Sequence, residues 1–295
     1  MAGGRTRARS LAHKHAVIHW LVQSTTAHPD LAAGRVPPGL LNPDEEARFQ
    51  ALKTEKRRRE WLLGRWTAKR LLQAVMRQTT GQTPPLDALV IENNAAGAPY
   101  AIYCTGEATG NGDSEFKPTP PPVASPLHLP LSISHSGDHA FCAVLVRNEE
   151  LPDVAATDGQ RISGWPDDLF VYLPVSHTSL GADIERIEGR PAAFADDYFT
   201  AAEMERIEHT PPCLRPALVT AVWSAKEAVL KALQVGLRVD TRAVSCLVGP
   251  AADLPATWRP FTIQWNGEMA PAADLVGWWR GVEGYVLTLA VRSDE

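Results

Sequence analysis

Two carboxylates separated by one residue are the first feature that could do chemistry. Asp183 and Glu185 flank Ile184 in a short segment with the composition of a strand. Because successive side chains on a strand point to opposite faces, both carboxylates share one face and Ile184 points into the core. Carboxylates held this close favour a hard divalent cation such as Mg²⁺, or Mn²⁺ in its place. A solvated strand end is the alternative interpretation.

A second group of candidate residues lies in the segment Trp223 to Lys231, which has a strongly helical composition. Trp223, Glu227 and Lys231 are spaced four residues apart, so they line one face of the predicted helix. An ordinary exposed Glu–Lys pair is the alternative. That alternative leaves the apolar Trp223 on the same face unexplained.

A histidine in a polar loop is the third candidate. His135 lies in Ile133 to Gly137, within an apolar block that predicts strand, tight loop and strand over Leu131 to Val146. Such a histidine could shuttle a proton, bind a phosphate or be an ordinary loop residue. Ser134 lacks the Gly-x-Ser-x-Gly frame of a nucleophile elbow, which argues against a serine nucleophile.

The fourth candidate is a basic helix. The segment Lys53 to Arg70 contains eight basic and two acidic residues, within a chain whose net charge is −5. Apolar residues recur in it near helical spacing, which predicts an amphipathic helix over about residues 56–78. Arginines on its polar face suit a polyphosphate, and a solvated charged face is the alternative. Asn42, followed by three acids, predicts the start of a preceding helix.

The chain that must position these residues is longer than one typical domain. A chain of 295 residues is longer than the common domain size of about 100–150 residues, so two domains or two similar halves are expected. Strands and helices mix without strict βαβ alternation, and there is no GxGxxG or Walker loop, so we expect an α+β fold. The expected parts are an N-terminal half over 1–147, with a basic tail over 1–14 and an insertion near 105–127, an insertion or linker over 148–177, and a C-terminal half over 178–295.

Composition excludes several classes. With 44% hydrophobic and 21% charged residues, the chain is not a disordered polymer. Its longest apolar stretches, such as Ala140 to Val146, are far shorter than the roughly 18 residues that span a bilayer, so no membrane segment is expected. Four widely separated cysteines without zinc-binding spacing indicate free thiols and a cytoplasmic protein.

In this order the four segments resemble the 4′-phosphopantetheinyl transferase superfamily, in its longer surfactin-synthetase-activating (Sfp) type. The matching stretches are Arg58 to Arg65, Ile133 to Gly137, Leu180 to Glu185 and Trp223 to Lys231. Each motif is modest alone, and the ordered set is specific. The resemblance implies a pseudo-twofold duplicated fold with the active site at the junction of the halves.

The resemblance also implies a reaction and a set of site residues. The 4′-phosphopantetheine arm of coenzyme A would pass to a serine of an apo acyl or peptidyl carrier protein, with Mg²⁺, releasing adenosine 3′,5′-bisphosphate. The implied metal ligands are Asp183, Glu185 and Glu227. The implied catalytic residues are Glu227 as the base, acting directly or through a metal-bound water, with Lys231 and His135 on the pyrophosphate. The implied coenzyme A contacts are Arg48, Arg58, Arg59, Arg65, Ser134, His135 and Lys231.

The implied partners are coenzyme A and an acidic carrier protein, attracted by the basic helix. We expect no nucleic acid partner and no membrane partner, and we expect a monomer that is internally a pseudo-dimer. Three alternatives remain open. One is a Mg²⁺-dependent nuclease or phosphohydrolase that uses the same acids. Another is a nucleic-acid-binding module built on the basic helix, against which the net charge of −5 argues. The last is a superfamily member that has lost its activity.

Overall fold

A computed structural model describes residues 15–103, 127–147, 169–172, 177–249, 254–266 and 274–294. The predicted basic tail over 1–14 lies outside the described residues, as does nearly all of the predicted insertion near 105–127. Of the predicted insertion or linker over 148–177, only residues 169–172 and residue 177 are described. Among the described helices, none combines the length and the apolarity needed to cross a bilayer.

The N-terminal half is an antiparallel sheet with one long helix and two shorter ones. Its strands follow the spatial order β2-β3-β4-β5-β1-β6. The strands are β1 His15–Ser24, β2 Val90–Asn93, β3 Pro99–Tyr103, β4 Leu127–Ser136, β5 His139–Arg147 and β6 Leu169–Tyr172. The helices are α1 Pro29–Ala32, α2 Pro43–Gln50 and α3 Glu55–Thr80. Strand β6, within the predicted linker, pairs with β1 at the edge of the sheet.

The C-terminal half repeats this plan. Its strands follow the spatial order β7-β11-β10-β9-β8. The strands are β7 His177–Arg186, β8 Val244–Leu247, β9 Arg259–Trp265, β10 Asp274–Val282 and β11 Tyr285–Asp294. The helices are α4 Ala192–Tyr198, α5 Ala201–Glu208 and α6 Arg215–Ala232.

The two halves have the same connectivity. Elements β1, α2, α3 and β2–β5 correspond in chain order to β7, α5, α6 and β8–β11, and the corresponding strands have the same neighbours. In each half the first strand pairs with the last, and the long helix packs on the sheet. The predicted α+β class with two similar halves is therefore confirmed.

Local sequence explains where the helices begin and end. The Asn42 side chain caps α2 and Glu45 completes a capping box, as the acids after Asn42 suggested. Thr54 caps α3, which ends at Gly81 with a left-handed φ of 73°. The predicted helix over 56–78 and the predicted strand, loop and strand over Leu131 to Val146 are confirmed.

The core that joins the halves lies between the two sheets. Buried side chains from β1 and β5 meet buried side chains from β7 and β11 there, among them Ile18, Phe141, Ile184, Leu287 and Leu289. Full burial of such side chains contributes about 1.5–3 kcal/mol each. The junction is thus held by close packing, and it brings β4 of one half beside β7 of the other. Residues of both halves can therefore form a single site.

Candidate active site

A glycine sets the distance between α6 and β7. A Cβ atom at Gly181 would lie only 1.8 Å from the carbonyl oxygen of Ala228, so no side chain fits between strand and helix. The backbones of the two elements therefore touch directly. This close approach brings Glu227, the neighbour of Ala228 on α6, to the carboxylates of β7.

Three carboxylates meet where α6 crosses β7. One oxygen each from Asp183, Glu185 and Glu227 lies within 4.8 Å of the others. Ile184, between the two strand acids, is buried in the core between the sheets. The predicted placement of Asp183 and Glu185 on one face is confirmed, and the structure adds Glu227 from the helix.

Asp183 is buried, with 1% of its surface exposed, and both of its carboxylate oxygens accept hydrogen bonds. Its Oδ1 accepts hydrogen bonds from Ser134 Oγ and Lys231 Nζ, both at 2.7 Å. Its Oδ2 accepts one from Ser224 Oγ, also at 2.7 Å. Because Ser134 belongs to β4 and Lys231 to α6, this carboxylate joins the two halves.

Glu185 is held at its two oxygens by different elements. Its Oε1 accepts a hydrogen bond from the indole N–H of Trp223 at 3.2 Å, and its Oε2 accepts one from Arg190 at 3.2 Å. Burial, and then the nearby charge of Asp183, raise the pKa of Glu185. The Trp223 side chain thus belongs to the site. An ordinary exposed Glu–Lys pair on this helix face would not explain why Trp223 lies there.

Glu227 has a more strongly raised pKa than Glu185. Burial, followed by the charge of Asp183, raises the pKa of Glu227 to about 8, although Lys231 opposes the rise from 3.9 Å. Three acids at this spacing carry more negative charge than the neighbouring cations balance. An all-carboxylate donor set with excess negative charge fits a hard divalent cation such as Mg²⁺ or Mn²⁺.

Lys231 stands between the carboxylates and the N-terminal half. Its ammonium donates to the Ala182 carbonyl and to Ser134 Oγ, both at 3.1 Å, as well as to Asp183. The side chain remains 31% exposed. It can therefore reach an anion in the cleft while staying near the acids.

His135 faces the basic helix. Its Nε2 lies 3.8 Å from the carboxylate of Glu60 on α3. Burial lowers the pKa of His135, Glu60 raises it, and Arg57 and Lys231 lower it further. The sequence interpretation missed Glu60; the available signal was that it is one of only two acids among the eight basic residues of that segment.

The four arginines assigned to coenzyme A lie on α2 and α3, and three of them contact residues of the N-terminal half. Arg58 donates to the Leu52 and Gln50 carbonyls, and Arg59 pairs with Glu55. Arg48 is exposed. Arg65 is buried beside Glu45 and lies over the Trp61 ring. Their role in binding coenzyme A stays a prediction.

The sequence interpretation missed two hydroxyl groups behind Asp183, those of Ser224 and Thr288. Ser224 bonds to Asp183, and Thr288 contacts Ser224. Ser224 Oγ lies 2.8 Å from Thr288 Oγ1, and Thr288 donates to the Ser224 carbonyl at 2.9 Å. Both residues are completely buried. A serine next to Trp223, one helical turn before Glu227, was the signal available for Ser224.

The segment that carries the carboxylates matches a known family. Residues 179–290 match the family model described as ACPS, 4′-phosphopantetheinyl transferase superfamily. The matched segment is 112 of the 295 residues, which is less than half of the chain. A curated relative, the holo-[acyl-carrier-protein] synthase of Jannaschia sp. (strain CCS1), is 34% identical over 104 residues, which are 34% of this chain and 57% of that protein. The match thus spans little more than half of that relative.

Solved structures are also similar to part of the chain. The Chronobacterium ammoniagenes ACPS–CoA complex is 17% identical and covers 41% of this chain and 99% of its own, with a TM-score of 0.32. The holo-(acyl-carrier-protein) synthase of Bacillus anthracis in complex with CoA (3′,5′-ADP) is 18% identical and covers 45% of this chain and 97% of its own, with a TM-score of 0.32. Each covers less than half of this chain.

Proposed function

We propose that the chain is a 4′-phosphopantetheinyl transferase of the surfactin-synthetase-activating type. It transfers the 4′-phosphopantetheine arm of coenzyme A to a serine of an apo acyl or peptidyl carrier protein and releases adenosine 3′,5′-bisphosphate. One observation carries the proposal. Ser134 of one half bonds to Asp183 and Lys231 of the other, within a carboxylate cluster inside the segment that matches the superfamily. The presence of both halves in one chain supports the longer type acting as a monomer.

Asp183, Glu185 and Glu227 would hold Mg²⁺, or Mn²⁺ in its place. When bound, the ion would supply positive charge to the pyrophosphate oxygens on which negative charge develops during transfer. Trp223 and Arg190 orient Glu185 for this role, and Ser224 orients Asp183.

The transfer makes one bond and breaks one. The carrier serine oxygen bonds to the β-phosphorus of coenzyme A, and the bond from that phosphorus to the bisphosphate oxygen breaks. Glu227 receives the serine proton. Lys231, at 3.9 Å from Glu227, favours the ionised form of the carboxylate that can accept the proton.

Lys231 and His135 act on the phosphates. The partly exposed ammonium of Lys231 neutralises the departing bisphosphate, which leaves with added negative charge. His135 binds a phosphate oxygen from the side of the cleft formed by the N-terminal half. The carboxylate of Glu60 opposes the effect of burial and raises the pKa of that imidazole, although the net shift of the His135 pKa is downward.

The partner is an acidic carrier protein that approaches the basic face of α3. Arg57 and Arg59 are exposed there, close along the helix to Glu60, which faces His135. Opposite charges speed the encounter of two proteins and make it sensitive to salt. Raising the salt concentration should therefore weaken carrier binding more than coenzyme A binding. Equal insensitivity of both would contradict a charge-steered interface.

The test is intact-mass spectrometry of an apo carrier protein incubated with the chain, coenzyme A and Mg²⁺. The proposal predicts that the carrier gains the mass of the phosphopantetheine arm, and that omitting Mg²⁺ or coenzyme A prevents the gain. Several carriers from fatty acid, polyketide and peptide synthesis should be tried in parallel. No gain on any of them, with nucleic acid cleaved instead, would favour the nuclease alternative.

A further inference from the structure

A short motif occurs at equivalent places in the two long helices. Helix α3 contains Trp66-Thr-Ala-Lys69, and helix α6 contains Trp223-Ser-Ala-Lys226. Both lysines are fully buried, with 0% exposed. A buried ammonium is expensive unless charges and hydrogen bonds compensate it, so a buried lysine in each half calls for a specific explanation.

The counter-ion of each buried lysine is also equivalent. Lys226 pairs with Glu203, which completes the capping box of α5, and Lys69 pairs with Glu45, which completes the capping box of α2. In each half one glutamate therefore both starts a short helix and neutralises a lysine of the long helix. This arrangement ties the long helix to the short one.

Lys226 ties α6 to more than one element. Its ammonium forms an ion pair with Glu203 Oε2 at 2.9 Å, and it donates hydrogen bonds to the Thr241 carbonyl at 2.8 Å and to the Val244 carbonyl at 2.5 Å. Glu203 in turn accepts a hydrogen bond from the backbone N–H of Cys246 at 2.6 Å. The pair thus fixes α6 to α5, to the turn at residues 241–243 and to β8.

The direction of Lys226 relates this anchor to the candidate metal site. Glu227 is the next residue of α6, so its side chain leaves the helix about 100° away from that of Lys226. Lys226 points to α5 and β8, while Glu227 points to β7. If α6 turned by about 15°, a carboxylate roughly 6 Å from its axis would move by about 1.5 Å. Metal–ligand distances tolerate only about 0.2 Å.

We propose that the Lys226–Glu203 pair positions the candidate metal site by fixing the rotation of α6 about its axis. The pair touches neither substrate nor metal and acts through Glu227 and Trp223. The inference rests on the proposed function only for the identity of the ion. The equivalent Lys69–Glu45 pair anchors α3, which bears none of the three carboxylates, and it provides a matched control.

The test compares two double variants. Lys226→Met with Glu203→Gln removes one pair, and Lys69→Met with Glu45→Gln removes the other. Methionine keeps an unbranched apolar chain, and glutamine keeps an acceptor for the capping box. Removing both charges together avoids leaving either partner of a pair buried and unpaired. In the control, Glu45→Gln also removes the carboxylate 3.8 Å from Arg65, so the control disturbs its half at least as much as the first variant does. Where the first double variant fails to fold, the single variant Glu203→Gln, which retains the carbonyl bonds of Lys226, takes its place.

Two readouts separate positioning from general loss of stability, both recorded well below the unfolding temperature. The first is the ¹H–¹⁵N resonance of the Trp223 indole, which donates to Glu185 and can be assigned with Trp223→Phe. The second is Mn²⁺ affinity. Loss of the Lys226–Glu203 pair should displace or broaden the Trp223 resonance and weaken Mn²⁺ binding by about tenfold or more, as loss of a supporting partner does at other metal sites. Loss of the Lys69–Glu45 pair should leave both unchanged.

An unchanged Trp223 resonance and unchanged Mn²⁺ affinity without the Lys226–Glu203 pair would overturn the inference. Equal changes in both double variants would also overturn it, because they would indicate general loosening. If the wild-type protein binds no Mn²⁺, the proposed metal site fails, but the indole resonance still decides whether the pair positions α6. The two proposals can thus fail separately.

Discussion

The two halves share a framework but differ in chemistry. Strand registers align the Ser24–His139 pair of one half with the Arg186–Tyr285 pair of the other. On this alignment and that of the two tryptophan motifs, the C-terminal acids and lysine have N-terminal counterparts of a different kind. Asp183, Glu185, Glu227 and Lys231 correspond to Leu21, Gln23, Arg70 and Ala74. The buried lysines, the capping boxes and the strand order are kept in both.

The equivalent tryptophans Trp223 and Trp66 differ in whether the indole N–H has a hydrogen-bond partner. The indole N–H of Trp223 donates to Glu185. In the N-terminal half the indole N–H of Trp66 and Oε1 of Gln23 are buried, and neither has a hydrogen-bond partner within the described part of the chain. The lesson is that one fold unit can be duplicated while its chemistry is kept in one copy. The other copy contributes Ser134, His135 and a basic helix.

The largest expected effect comes from removing a carboxylate. Asp183→Asn should reduce the rate of transfer by at least about 10³-fold. The charge of Asp183 helps to hold a metal ion that contributes several kcal/mol of transition-state stabilisation, and each factor of ten in rate corresponds to about 1.4 kcal/mol. The measurement is the rate of carrier modification followed by intact mass. Gln23→Ala, in the half without the acids, should change the rate by less than about threefold. Similar losses in both variants would break the comparison.

A substitution that separates helix and strand should come next. Gly181→Ala forces α6 away from β7, because its Cβ would overlap the Ala228 carbonyl. We expect about 1–3 kcal/mol lower stability and about 10²-fold lower kcat. The N-terminal half carries His19 at the equivalent strand position, so its helix does not depend on this contact.

Gly189→Ala is the control for this variant, since a Cβ there meets nothing within 4 Å. Stability can be followed by urea unfolding and activity by steady-state kinetics. Full activity of Gly181→Ala would show that the close approach of α6 to β7 does not set the geometry of the carboxylates.

The raised pKa of Glu227 predicts a pH-dependent stability effect. Its folded-state value of about 8 lies above the ordinary 4.5, so between these values the folded state holds a proton that the unfolded state releases. Stability of the metal-free protein should therefore fall as pH rises from 4.5 to 8. Glu227→Gln should remove this loss and stabilise the protein above pH 8 by on the order of 1–3 kcal/mol.

Urea unfolding in the presence of a chelator, at pH 6 and pH 9, measures this effect. Arg70→Gln, at the equivalent position of α3, should leave the dependence of stability on pH as it is in the wild type. A Glu227→Gln variant that is less stable than the wild type at pH 9 would contradict the electrostatic description of the cluster.

Much of the fold was predictable because its long elements carry strong local patterns. The helix predicted over 56–78 is α3, and the predicted helix that contains Trp223 to Lys231 is α6. Strand β10 has a weaker pattern, because Gly277, which packs against the Phe261 ring, and Gly281 interrupt it. Strand β1 has a weaker pattern too, because it contains the polar His19.

Some features of the candidate site were predictable from the sequence and others were not. The shared face of Asp183 and Glu185 follows from strand alternation alone, so it was predictable. The bonds from Ser134 to Asp183 and from His135 toward Glu60 depend on which elements pack together, and a single sequence does not reveal this. The burial of Arg65 could not be read from charge counts, which do not identify the face of α3 that meets Glu45.

The smallest expected effect concerns Glu60. Glu60→Gln removes the charge that opposes burial at His135, so the pKa of His135 should fall further below its ordinary value. Near pH 7 the KM for coenzyme A should rise by about three- to tenfold with little change in kcat, and the difference should shrink at lower pH. Glu92→Gln, on β2, is a matched control. A KM that does not depend on Glu60 at any pH would remove His135 from the phosphate contacts.

The most direct test of the central claim is a crystal structure of the protein with Mn²⁺ and coenzyme A, with the ion located by its anomalous scattering. We expect one Mn²⁺ bound by Asp183, Glu185 and Glu227, with the pyrophosphate between Lys231 and His135 at the junction of the halves. We expect no ion beside Leu21, Gln23 and Arg70. Mn²⁺ bound elsewhere, or coenzyme A bound away from the junction, would show that the proposed site is wrong.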